Sequence, residues 1–407
     1  MLGSGILAFC IMSLSIGIVG LPNVGKSTLF NALTLKGVPA ENYPFCTIDP
    51  SVGVVEVPDV RLKRLTEMAH SAKTIPAAVQ FVDIAGLVKG ASLGEGLGNQ
   101  FLSHIREVDA IAEVVRIFHD DDVHHVSGAI DPVSDIEVIN LELVLADMQT
   151  AEKSLERAER DAKGGDSARG GSSSGGKDII AERDVLRKIV PVLKHGKPAR
   201  TVELSAEEKR ASQSLHLLTL KPVLYVLNRK SGVVNVDAER GDTWKALQRF
   251  LEESKSEWVF VDAGVEGELR DVHDDERENF RRELGVPDDG LSGLIKAGYR
   301  VLNLISFFTT GEDETRAWTI KKGATAPEAG AAIHTDFRDK FIRADVIQCD
   351  KLLEVGSLLR PNSAKALMGT QGSAGQAFAK ARELGLLRSE GREYIVQDGD
   401  VMEFKHS

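Results

Sequence analysis

Nine residues near the start of the chain, Gly20-Leu-Pro-Asn-Val-Gly25-Lys26-Ser27-Thr28, restrict its fold more than any other stretch. They satisfy the spacing GxxxxGK[ST], follow the apolar run Ile16 to Val19 and precede an amphipathic segment from Ser27 to Leu35. The motif therefore lies between an expected strand and an expected helix, which is the setting its chemistry requires. Glycines let backbone N–H groups wrap a phosphate without Cβ clashes, and the helix start adds partial positive charge. Lys26 then reaches the outer phosphate oxygens, and Ser27 is placed to ligate Mg²⁺. Asn23, Val24, Gly25, Lys26, Ser27 and Thr28 are the nucleotide-binding candidates on this loop.

A phosphate loop alone does not separate a switch from a small-molecule kinase, so the segments downstream decide. Val79 to Gly86 is an apolar strand ending in DxxG, where Asp83 holds the water shell of Mg²⁺ and the Gly86 N–H meets the γ-phosphate. Between the two motifs, Glu41 to Pro50 is rich in turn formers. Its Thr47 is expected to close over the γ-phosphate and complete the magnesium sphere, the alternative being a hydroxyl satisfied within the turn. The catalytic candidates are Lys26, Thr47 and Gly86, and the metal candidates are Ser27, Thr47 and Asp83. A metabolite kinase has no use for DxxG with two switch loops.

Composition narrows the partners. The 407 residues carry 50 Lys and Arg against 61 Asp and Glu, a net charge of −11, which argues against holding nucleic acid by bulk positive charge and against DNA sequence recognition. A local RNA-contact face is compatible with it. Three cysteines, Cys10, Cys46 and Cys349, lie far apart without metal-ligand spacing, which fits a reducing cytoplasmic setting. Cys46 falls within the first switch loop, where an inert thiol is the preferred reading over a redox-sensitive one. Residues 1–11 are apolar but lack a basic n-region and a cleavage site, and are too short to span a bilayer. Met12 is the expected natural start, with residues 1–11 an upstream extension; no membrane association is expected.

Taken together, GLPNVGKSTLFNALT at 20–34, ENYPFCTIDPSVGVV at 41–55 and FVDIAGLVKGASLGEGLGNQFLSHIREVDAI at 81–111 resemble the YchF or Obg-like ATPase family, a branch of the Obg-related switch proteins. The likeness continues through 131–140, 221–228 and 316–320 to the tail at 393–402. It implies an α/β fold: a P-loop NTPase switch domain with a helical, coiled-coil-like insertion and a C-terminal ubiquitin-like β-grasp (TGS) domain. The expected boundaries are 12–137 and 216–302 for the two parts of the switch domain, 138–215 for the insertion and 303–407 for the TGS-like domain. Helical spacing of apolar residues over about 138–163 and 179–193, interrupted by the Gly/Ser stretch 164–176, agrees with two helices joined by a solvated tip.

Two positions depart from a Ras-like pattern. The residue after DxxG is Leu87, which cannot orient water as a glutamine does. Slow hydrolysis, another group in the chain, or a partner acting in trans are the alternatives. Family members often carry a candidate catalytic His where this chain has Glu113, and an anion beside a polyanionic nucleotide is awkward, so a structural role for Glu113 is preferred. Asn23 suggests a K⁺ ion between the phosphates and the first switch, the alternative being a loop-stabilising side chain. The glycine series Gly90 to Gly98 reads as a mobile second switch rather than a dinucleotide fingerprint.

Guanine-specific switches read their base with NKxD, whose Asp accepts from N1–H and N2–H₂. Here the strand from Lys221 ends in Asn228-Arg229-Lys230-Ser231. The acid is missing, and the Glu that the family typically carries there is missing too. ATP is therefore expected over GTP with weak discrimination, while Asn228 contacts the base edge and pins the phosphate loop. The loop Val261 to Glu266 matches the last base-binding loop too loosely to assign a role.

From about Leu304 short β-like segments alternate with a helical stretch from Thr325 to Arg338, and Val355 to Gly375 reads as an irregular surface insertion. Residues 303–407 hold 14 Lys and Arg against 15 Asp and Glu, so this module is not basic. Resemblance implies contact with ribosome or ribosomal RNA; a protein-contact module is the alternative. The expected activity is Mg²⁺-dependent hydrolysis of ATP to ADP and phosphate, coupled to ribosome or RNA binding. The alternatives are a GTP-specific Obg-like GTPase and a nucleotide-gated binding module with incidental hydrolysis.

Overall fold

The computed structural model describes residues 14–34, 51–84, 97–120, 130–168, 174–269, 272–286, 289–359 and 373–406. Among them, the apolar runs at 16–19 and 79–83 become strands β1 (Ser15–Val19) and β4 (Ala78–Asp83); β2 (Val52–Glu56), β3 (Lys73–Ile75) and β5 (Ala110–Arg116) are further strands, and α1 (Lys26–Thr34), α2 (Val60–Ala69) and α3 (Leu97–Glu107) lie between them. The helical insertion follows as α4 (Pro132–Ala168), α5 (Ser174–Lys194) and α6 (Ala206–Ser212). The chain then returns through β6 (Val223–Asn228), α7 (Val236–Glu239), α8 (Asp242–Ser254), β7 (Glu257–Val261), α9 (Ala263–Glu268), α10 (Asp274–Glu283) and α11 (Gly290–Val301).

These strands form a six-stranded sheet in the order β2-β4-β1-β5-β6-β7, parallel except for β2. Strands β1, β5 and β6 are buried along their whole length, which is why they read as continuous apolar runs rather than alternating ones. The chain order reverses beside β1, and the loop at its carboxyl end is therefore the crevice where such sheets hold ligands.

The insertion has a core of its own. Val144 and Ala151 on α4 meet Val185, Leu186, Ile189 and Leu193 on α5 at spacings that keep one face together. Asp147 ties α4 to the returning chain by accepting from the Leu218 and Thr219 amides at 2.8 and 2.7 Å and from the Thr219 hydroxyl at 2.6 Å. Helix α4 begins at Pro132, six residues before the position read from the sequence, because Asp131 caps it through the Ser134 amide (3.1 Å). Helix also runs into both sides of the Gly/Ser stretch expected to be a tip, leaving 169–173 outside the described residues.

The C-terminal part contains β8 (Leu304–Thr310), β9 (Glu314–Lys321), α12 (Ala326–Ile333), α13 (Thr335–Asp339), β10 (Phe341–Gln348), α14 (Cys349–Leu358), α15 (Ser373–Glu383), β11 (Arg388–Glu390) and β12 (Asp400–His406). Its mixed sheet runs β11-β10-β12-β8-β9-β3, with β12 parallel to β8, the strand arrangement of a β-grasp. Period-two alternation sends Phe307, Val346 and Met402 to a core beneath α12, while Phe308, Ile347 and Val401 join the main core. Two expectations fail here. Tyr394 to Val396 makes only an isolated bridge between Ile395 and Thr325, the true strand being β12, and of the stretch Val355 to Gly375 the two ends are helical, in α14 and α15, while 360–372 lie outside the described residues.

Strand β3 belongs to the N-terminal half of the chain yet pairs in parallel with β9, Thr74 opposite Thr315. Helix α2 lies beneath the same sheet, where Leu62, Leu65 and Met68 join one continuous apolar cluster with Phe308, Ala317, Leu352 and Val355. Arg61 locks the join: its guanidinium pairs with Asp59 and Asp398 at 2.7 Å and lies 5.2 Å from the Phe308 ring centre. Among the described residues no helix is long and apolar enough to cross a membrane.

Candidate functional site

The phosphate loop leaves β1 at Val19 and enters α1 at Lys26. Gly20 and Gly25 adopt φ of +155° and +96°, and a Cβ on either would collide with what surrounds it. At Gly20 the obstacle is the Val114 carbonyl at 2.6 Å; at Gly25 it is Asn228 Nδ2 at 2.3 Å. The motif's glycines are thus required by close approach as well as by backbone angle. Asn23, also left-handed at φ +63°, uses a conformation that asparagine tolerates better than most residues. Val24 is buried, whereas Ser27 and Thr28 on the first turn of α1 are exposed.

Lys26 folds back over the loop, its Nζ donating to the Leu21 carbonyl at 2.7 Å. Burial lowers its pKa, opposed by the nearby Asp83 carboxylate. Asp83 shows the converse: burial raises its pKa and Lys26 lowers it. Register explains the approach, because Asp83 ends β4 directly beside Ile18 on β1. A half-buried cation and a half-buried anion therefore face one another at the mouth of the loop. The Ser27 hydroxyl and Asp83 carboxylate are hard oxygen donors, which is the donor chemistry Mg²⁺ takes when phosphates complete its sphere. Thr47, Gly86 and Leu87, together with Cys46 and the glycine series from Gly90 to Gly96, lie outside the described residues, while Gly98 falls in the first turn of α3.

The base end is assembled from the loops after β6 and β7. Asn228 spans three segments at once: Nδ2 donates to the Val24 carbonyl at 2.8 Å and Oδ1 accepts from the Ala263 amide at 3.1 Å. Arg229, at the position where a lysine stem would lie along the base, is held by the protein. Its guanidinium is 3.4 Å from the Phe260 ring centre and pairs with Asp237 at 2.5 Å. Lys230 is paired with Asp120. Ser231 donates from its amide (2.7 Å) and its hydroxyl (2.8 Å) to Oδ2 of Asp262, whose Oδ1 accepts from the Val265 amide at 3.0 Å and so caps α9.

Asp262 is a residue that the sequence reading passed over. The signal was present, since an aspartate just before a short helical stretch is a preferred N-cap. What the sequence lacked was any sign that Ser231, 31 residues earlier, would be its partner.

Glu113 is not part of the phosphate site. It lies on β5 opposite Val19 and Tyr225, only 2% exposed, and its charged neighbours are Arg200, at the exit of the insertion, and Asp135, in the first turn of α4. Burial lifts its pKa to about 8, with Arg200 opposing and Asp135 reinforcing the rise, so at neutral pH it is mainly the neutral acid. Burial and Glu113 together push the Tyr225 hydroxyl to about 12, and Arg200 donates to Asn140 at 2.8 Å. The cluster joins the root of the insertion to the sheet.

Comparison with known proteins matches this architecture. A family model described as "50S ribosome-binding GTPase" covers residues 15–149, and a second, YchF-GTPase_C, described as "Protein of unknown function (DUF933)", covers 304–374. The "Ribosome-binding ATPase YchF" of Bacillus subtilis (strain 168) is 48% identical over 394 residues, spanning 97% of this chain and 99% of that protein. The protein of the same name from Escherichia coli O157:H7 gives the same identity and coverage. Among solved structures, the Schizosaccharomyces pombe YchF GTPase superposes with a TM-score of 0.79 at 35% identity, covering 97% of this chain and 98% of that one.

Proposed function

The chain belongs to the YchF family, and from that premise we propose that it is a Mg²⁺-dependent nucleoside triphosphatase that prefers ATP and couples its nucleotide state to ribosome binding in the cytoplasm. The observation that carries the reading is the phosphate loop itself. Gly20 and Gly25 occupy backbone that excludes a side chain, and Lys26 faces Asp83 at the loop's mouth. Lys26 would bind the β- and γ-phosphates, exchanging the Leu21 carbonyl for phosphate oxygens, and Ser27 and Asp83 are the residues that would hold Mg²⁺. The ion supplies charge neutralisation at the phosphates. Asn23, Val24, Gly25 and Thr28 complete the cradle, with Thr47 and Gly86 contributing from the two switch segments.

The C-terminal module, 303–407, is read as a TGS domain carrying the ribosome contact, and 138–215 as the helical insertion. Because β3 pairs with β9 and α2 packs against the same sheet, the nucleotide-binding half is joined to the C-terminal module through packed structure. Asn23 further supports K⁺ as a second ion at the phosphates; equal hydrolysis rates in K⁺ and Na⁺ at matched ionic strength would remove that part.

The test is phosphate release from ATP and from GTP with Mg²⁺, alongside co-sedimentation with ribosomes in the presence of a non-hydrolysable ATP analogue or ADP. The expected result is faster ATP turnover and nucleotide-dependent sedimentation, both lost in Lys26→Ala. If Lys26→Ala bound ribosomes as the parent does, the protein would be a binding module with incidental hydrolysis.

A further inference from the structure

We infer that the Ser231–Asp262 pair sets base choice in this chain by keeping the carboxylate that joins the two base-end loops occupied within the protein. The inference rests on the nucleotide-binding reading above and names the residues that give it specificity. It starts from a count of acceptor sites. An ionised carboxylate offers about four lone-pair positions, two on each oxygen. Three at Asp262 are taken: Oδ2 accepts the Ser231 amide and hydroxyl, and Oδ1 accepts the Val265 amide. Guanine presents N1–H and N2–H₂ side by side and needs one free site on each oxygen. Oδ2 has none left. Adenine presents no such side-by-side pair of donors, its N1 being an acceptor, and does not call on the carboxylate.

The neighbours close off other arrangements. Asp262 is 4% exposed, so turning it toward a base would break three hydrogen bonds made out of water, including the cap of α9. Arg229 and Lys230 are committed to Asp237 and Asp120, so neither cation of the loop competes for the carboxylate. Asn228 keeps both loops beside the phosphate loop through Val24 and Ala263, which places the pair where a base attached to the bound phosphates must lie. A guanine reader needs the acid on the first loop, with its oxygens turned outward. Here the first loop supplies the hydroxyl and the second the acid, so the acid is spent on the contact between the loops.

Exchanging the two residues tests this directly. Ser231→Asp with Asp262→Ser keeps a hydroxyl–carboxylate contact and leaves serine, a good N-cap, in front of α9. Equilibrium binding of non-hydrolysable ATP and GTP analogues, with Mg²⁺, is measured for the parent and the exchange variant, with thermal midpoints as the check on folding. The expected outcome is an ATP preference in the parent and a rise of about 10-fold or more in the GTP-to-ATP affinity ratio after the exchange, the scale of one bidentate base contact. If the exchange variant does not fold, Ser231→Ala serves in its place. It frees one site on Oδ2 and is expected to raise the ratio by roughly threefold, a weakened single hydrogen bond. A ratio unchanged within twofold in a folded variant overturns the inference while leaving nucleotide binding intact. A parent that binds the GTP analogue more tightly also overturns it. A parent that binds neither analogue defeats the nucleotide-binding reading, and the inference with it.

Discussion

At the phosphate end of the site the recognising groups belong mainly to the backbone, whereas at the base end they belong to side chains on two loops 31 residues apart. A backbone cradle tolerates little substitution, because Gly20 and Gly25 each face an atom within 2.6 Å of where a Cβ would stand. A side-chain contact can be remade with its partners exchanged. Hydroxyl and carboxylate still meet between the loops after β6 and β7, but with the acid on Asp262 and the hydroxyl on Ser231. Phosphate chemistry therefore stays fixed where base chemistry is open to change.

The largest effect should come from breaking the rigid end. Gly25→Ala drives a methyl into Asn228 Nδ2 at a φ of +96°, and nucleotide affinity measured by titration calorimetry should fall by at least about 100-fold, for ATP and GTP alike. A variant that bound nucleotide normally would show that the loop relaxes and that the contrast between the two ends is false. Lys26→Ala, which removes the charge without disturbing the glycines, should lower the hydrolysis rate by about 10²–10³-fold, the usual cost of losing one preorganised donor to the transition state. Retention of the parent rate would shift the chemistry to groups elsewhere.

Asn228→Ala probes the hinge between the ends. It leaves the Val24 carbonyl and the buried Ala263 amide without their partner, at roughly 1–3 kcal/mol each. Affinity for both nucleotides should drop by about 10–100-fold with their ratio unchanged. A changed ratio would mean that Asn228 reads the base directly.

The smallest effect on nucleotide is expected at Glu113, and its signature lies in pH. Its carboxyl is held protonated up to about pH 8 in the folded protein and ionises near 4.5, the ordinary value for a glutamate, when unfolded. Between these values the folded state binds more protons than the unfolded one. Its contribution to stability is therefore full below about pH 4.5, declines as pH rises, and is exhausted above about pH 8. The groups facing it are Arg200 and Asp135, with Tyr225 beside it. Glu113→Gln cannot ionise, so its thermal midpoint should match the parent at pH 5 and exceed it at pH 8. ATP turnover should be unchanged at pH 7, and a turnover loss at constant stability would return Glu113 to the list of water-activating groups.

Much of this was legible in residues alone. The phosphate loop, the DxxG strand and the buried strand before Asn228 carry their signals within a few neighbours, since a parallel strand covered on both faces is mostly apolar, as β6 is up to Asn228. Elements defined by distant partners were not legible. Strand β3 has three residues and no pattern, and exists because β9 offers it an edge 241 residues later, Lys73 opposite Glu314. Tyr394 to Val396 has the composition of a strand yet only bridges Thr325, while Asp400–His406, rich in charge, is the strand because β8 and β10 flank it.

By itself the sequence determined the strand–loop–helix that cradles phosphate and the absence of a guanine-reading acid at residue 231, because each depends on local spacing or on the chemistry of one position. The tertiary structure alone decided where the base-end carboxylate is, that Glu113 is sealed beneath the insertion, and that the C-terminal sheet is completed by β3. Each of those depends on which surfaces meet across long stretches of chain. Hydrogen bonds and burial of that kind carry no period along the sequence.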